Sequence, residues 1–61
     1  MLNAFRNLYK IWSNAKVVAF VTAGSEKSAL AAYRAAGGKA AVDTIEQLSW
    51  GYPEDVCKLT A

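Results

Sequence analysis

The 61 residues, with seven basic and five acidic side chains, no histidine and one cysteine, make one small domain, residues 1–61, without a covalent or metal staple. A lone thiol forms no intramolecular disulfide, and scattered carboxylates beside it make no structural zinc site. A net charge of +2 with its basic residues dispersed argues against a dedicated nucleic-acid binder, and the absence of histidine argues against acid–base catalysis.

A chain of about 60 residues buries only about 60% of its unfolded surface. Twelve residues of the 54% apolar fraction are alanine, which buries little area each. Self-association or a partner protein is therefore expected to supplement the core.

Wound as a helix at about 100° per residue, the first fifteen residues sort by polarity. Met1, Leu2, Ala4, Phe5, Leu8, Tyr9, Ile11, Trp12 and Ala15 share one half of the wheel. Asn3, Arg6, Asn7, Lys10, Ser13 and Asn14 share the other. The pattern predicts an amphipathic N-terminal helix ending near residues 14–16. Lys16–Ala23 is rich in β-branched residues and short, which predicts a buried strand; the rival reading extends the first helix to Ala23. Ser25 is a good N-cap with Glu26 in the first turn. Residues 26–36 have high helix propensity, and Gly37-Gly38 stop them, one in the left-handed C-cap conformation.

Residues 39–49 read as a third helix, with Ala41, Val42, Ile45 and Leu48 on one face and Asp43, Glu46 and Gln47 on the other. Gly51-Tyr52-Pro53 reads as a turn, and Val56, Cys57, Leu59 and Thr60 suit a short edge strand. The expected class is α+β in the order α–β–α–α–β, with a two-stranded sheet that dimerisation would complete. The alternative is a compact all-α bundle.

No stretch carries a strong chemical motif. Val21-Thr-Ala-Gly-Ser25 resembles the turn of a nucleotide-binding βα unit, but no glycine fingerprint or P-loop lysine follows, which leaves an ordinary helix cap. A helix pair over 26–49 invites a helix-turn-helix reading, yet its second helix would offer Asp43 and Glu46 to phosphates. The N-terminal helix has too few lysines and arginines for a membrane-surface anchor, and the longest apolar run is far short of the ~20 residues of a span. The N-terminus lacks the pattern of a secretory signal, and a free thiol suits a reducing cytoplasm. No catalytic residue, metal ligand or cofactor-binding pattern stands out.

The sequence is best read as a small non-enzymatic protein-binding module. It would act as an inhibitor, adaptor or accessory subunit of the kind that phages direct at host machinery. A larger protein is the expected partner, and a homodimer is compatible with the shared sheet. Phe5, Tyr9 and Trp12 are its contact residues if the N-terminal helix docks externally; Trp50 and Tyr52 are if that helix packs internally. The competing function is a small DNA-associated regulator with Arg6, Lys10, Lys16, Lys27 and Arg34 on phosphates.

Overall fold

The computed structural model describes residues 5–60. Five elements follow in the order β1 (Arg6–Ser13), β2 (Lys16–Ala23), α1 (Glu26–Ala35), β3 (Thr44–Tyr52) and β4 (Val56–Leu59). They form one sheet of order β3-β1-β2-β4, antiparallel at each pairing. The expected α–β–α–α–β order with a two-stranded sheet is overturned, and so is the all-α bundle.

The first correction concerns the N-terminal helix. Residues 6–13 are a strand, while Met1 to Ala4 of the expected helix lie outside the described residues. In β1 the side chains of Tyr9, Ile11 and Ser13 are buried toward α1, and Leu8, Lys10 and Trp12 stand half-buried on the other face. Apolar residues on both faces erase the period-2 signal of a half-buried strand, and the same residues then collect on one side of a helical wheel.

A tight turn decides the matter physically. Ser13 pairs with Lys16, so the hairpin loop is Asn14-Ala15, and both residues have positive φ, 51° and 62°. Two such residues are what a type I′ hairpin turn demands. Asparagine tolerates that region, whereas alanine pays about 1–2 kcal/mol for it. The Asp43 carboxylate holds the turn by accepting a hydrogen bond from the Asn14 backbone N–H at 2.6 Å.

The second correction concerns residues 39–49. Residues 44–52 are the edge strand β3, reached by an extended connection, and no helix forms there. Gln47 pairs with Tyr9 and Ser49 with Leu8, so Leu48 is an extra residue, a β-bulge that resets the alternation. The three-residue spacing of Val42, Ile45 and Leu48 therefore imitates a helix. Gly51 is a second extra residue, between Trp50 and Tyr52, and its φ of 109° is one that glycine adopts without steric cost.

The remaining elements follow their local chemistry. Ser25 caps α1 through Oγ, which accepts from the Ser28 N–H at 3.1 Å. At the other end Gly38 N–H donates to Tyr33 O and Gly37 N–H to Arg34 O, with Gly37 at φ 100°, a Schellman cap. Gly38 lies against the Tyr33 ring so closely that a Cβ there would collide with it. Arg34 donates to the carbonyls of Gly38 and Ala40 at 3.2 and 2.8 Å, and Asp43 N–H donates to Trp12 O at 2.8 Å. These bonds tie the α1–β3 connection across the molecule.

The core is Tyr9, Ile11, Ala19, Val21 and Ala23 from the central hairpin with Ala29 and Tyr33 from α1. Ala29, fully buried, lets the helix backbone approach the sheet. Val18, Leu30, Ala40, Val42, Ile45 and Cys57 surround this cluster. The helix packs over β2 and touches β4. It leaves β3 uncovered, where every residue except Ile45 is exposed.

Candidate interaction surfaces

One surface lies on the helix side of the sheet, at the end of β3. Trp50 pairs with Asn7 and so shares the face of Tyr9 and α1, but it is 70% exposed. The Phe5 ring, 52% exposed, meets it edge-on, with centroids 5.9 Å apart at 61°. Phe5 also forms one wall of a groove whose other side is Ala23, Gly24, Ser28 and Ala32. The Arg6–Asp55 ion pair, 2.7 Å between Nε and the carboxylate, lies at this groove. Leu48 is exposed nearby along β3.

The outer edge of β3 continues this surface. Nine residues long, it carries one charge, Glu46, whereas the opposite edge strand β4 has four residues and follows Glu54 and Asp55. Long edge strands with few charges are ready to pair with another chain, and bulges twist an edge away, so regular pairing is expected along 44–47, with the Leu48 and Gly51 bulges bending the rest of β3. The chain entering β4 is also engaged: Thr22 Oγ1 donates to Glu54 O and accepts from the Val56 N–H, both at 2.7 Å.

The second surface is the open sheet face, opposite α1. Pairing places Glu46, Lys10, Phe20 and Lys58 in one row across the four strands. The Lys10 ammonium lies 5.4 Å from the Trp12 ring centroid and 5.9 Å from that of Phe20, within cation–π range of both. Trp12 Nε1 donates to the Glu46 carboxylate at 3.2 Å. Trp12 also lines a shallow hollow with Ala15, Asp43, Thr44 and Glu46.

These placements divide the residues expected to bind a partner. Phe5 and Trp50 are in contact. Tyr52, also exposed, pairs with Arg6 on the open face, its hydroxyl 3.2 Å from that of Ser49. Tyr9 is buried in the core, because it sits on the inward register of a strand and not on a docking helix. Trp12 belongs to the open face. Leu48, Phe20 and Lys58 were missed by sequence reasoning; only the strand pairing brings them into these groups.

The five cations assigned to DNA do not converge. Lys27 and Arg34 ride on α1, Arg34 bound to the following connection, Lys16 stands at the hairpin turn, and only Arg6 and Lys10 share the open face. The helix-turn-helix reading loses its second helix, and the membrane-anchor reading loses the described part of its amphipathic helix. Burial pushes the half-buried Cys57 thiol above its ordinary pKa, which disfavours the reactive thiolate. Among the described residues no three histidine, cysteine or acidic side chains gather as a metal site, and no helix is long and apolar enough to cross a membrane. No family model, curated protein or solved structure matches the chain.

Proposed function

We propose that this is a non-catalytic protein-binding module that takes an extended segment of a larger protein along the β3 edge and seats its side chains beside Phe5 and Trp50. The observation that carries this reading is the juxtaposition of the exposed Phe5–Trp50 ring pair and Leu48 with the longer, less charged edge of the sheet. Edge pairing supplies backbone hydrogen bonds to any sequence, and side-chain pockets supply the selection. Tryptophan and its aromatic neighbours are the side chains that dominate binding energy at such contacts. An inhibitor, adaptor or accessory subunit works in this way, and the single unpaired thiol suits a cytoplasmic setting.

The test pairs the wild-type protein with a Phe5→Ser/Trp50→Ser double variant. A protein retained from a host extract by the wild type is purified and titrated against both. The expected result is at least about a tenfold loss of affinity in the variant, equivalent to about 1.4 kcal/mol, with an unchanged circular dichroism spectrum. Equal affinity of the two would refute the contact. Sedimentation of the isolated protein separates the other occupant: a stable dimer abolished by the same variant would assign the surface to a second copy instead.

A further inference from the structure

We infer that the open sheet face is a second binding site, for single-stranded nucleic acid, centred on Phe20 and flanked by Lys10 and Lys58. The register carries the inference. Lys10 and Lys58 are the direct cross-strand neighbours of Phe20 on either side, about 10 Å apart across two strand spacings. Among the described residues neither ammonium has a carboxylate within ion-pairing distance. Trp12 lies one register step along the same face, its ring centroid 5.4 Å from the Lys10 ammonium and that of Phe20 5.9 Å from it.

An aromatic ring between two unpaired cations, with a second ring adjoining, matches a strand that alternates bases and phosphates. Both rings are half-buried and carry the Lys10 ammonium over them, so a base stacks on a ring as that ammonium swings off it to a phosphate, and Lys58 takes the next phosphate. A duplex hides its base faces and offers only the phosphates. Glu46 at the β3 end of the row repels phosphate, so the strand's path runs over β1, β2 and β4. That keeps it clear of the Phe5–Trp50 surface, with which this site shares no residue.

The chain's low net charge spoke against nucleic acid when its cations were counted along the sequence. The fold gathers two of them around one ring, which a count does not reveal. With two phosphates engaged, affinity is modest, and its logarithm falls with log salt at a slope of about −1.4, about 0.7 for each phosphate of a single strand.

The experiment uses a Trp50→Phe protein, in which Trp12 is the sole indole, titrated with oligothymidylate of about ten nucleotides, within the span of known single-strand sites. The expected result is quenching of Trp12 fluorescence at low salt, weakened at least about tenfold in Lys10→Ala/Lys58→Ala. Phe20→Leu, which keeps an apolar side chain at this half-buried position, is expected to weaken binding by a similar factor through lost stacking. Absence of quenching at low salt overturns the proposal. So does quenching indifferent to the lysine pair, equal affinity for duplex of the same length, or equal quenching by a polyglutamate peptide. Because the Trp50→Phe protein alters only the other surface, loss of the protein partner would leave this result intact.

Discussion

The two sides of the sheet differ in their edge strands, nine residues in β3 against four in β4, and in what covers them. Over the central hairpin of β1 and β2 and beside β4, the helix α1 closes a core in which Ile11, Ala19, Val21 and Ala29 are fully shielded from solvent. Among the described residues nothing comparable lies over β3, and the exposed Trp50 has Phe5 for its ring partner. The reason is one of width. A helix with its side chains is about 10–12 Å across, and four strands at about 4.8 Å spacing span nearly twice that. One ten-residue helix therefore covers half a sheet. The other half keeps Trp50, Phe5 and Leu48 exposed, the side chains that the proposed partner would cover.

The sharpest way to break this comparison is a matched pair of deletions. Ile11→Ala in the covered half is expected to cost about 2–5 kcal/mol, a large share of what a domain of this length possesses, and urea titration followed by circular dichroism reads it. Trp50→Ser removes more atoms from the uncovered half, yet is expected to change stability by no more than about 0.5 kcal/mol. Comparable losses would mean that the β3 half is covered after all.

Gly38→Ala comes next. Its new methyl group meets the Tyr33 ring, and overpacking of this kind costs about 1–3 kcal/mol, measured as a lower thermal midpoint. In the opposite direction, Ala15→Gly relieves a left-handed alanine and is expected to stabilise by about 1 kcal/mol. A destabilised glycine variant would contradict the hairpin turn on which the strand assignment of β1 depends.

The smallest effect concerns Cys57, which packs beside the core in the covered half. Its thiol pKa is raised in the folded protein by burial, so the unfolded chain ionises first as pH rises. The contribution to stability is complete below the unfolded thiol's pKa and is lost as pH rises through the folded value. Disulfide-exchange reagents should therefore react more slowly with the folded protein than with the urea-unfolded chain near neutral pH.

Local chemistry marked several elements, although at residues 16–23 it favoured a strand while leaving a continued helix open. The run of Val17, Val18, Phe20 and Val21 marked β2, Ser25 and the glycine pair marked the ends of α1, and the C-terminal apolar residues marked β4. The failures have one physical cause in two forms. Leu8 and Trp12 are apolar on the open face of β1, and the Leu48 bulge shifts β3 out of alternation, so both strands present a helical period. The hairpin signal at Asn14-Ala15 was weak because alanine occupies the place that glycine usually marks. The candidate surfaces were legible only in part. Phe5 and Trp50 were named under opposite assumptions about a helix that is a strand, and the lysine row around Phe20 exists only once β1, β2 and β4 are in register.

Amide hydrogen exchange of the free protein tests most directly the claim that the β3 edge stands free for a partner. The account predicts strong protection of the amides of β1 and β2 that pair within the central hairpin, and rapid exchange of those on the outer edge of β3, which gain protection when a protein partner binds. Outer-edge amides in β3 as protected as those of the central hairpin in the free protein would contradict it.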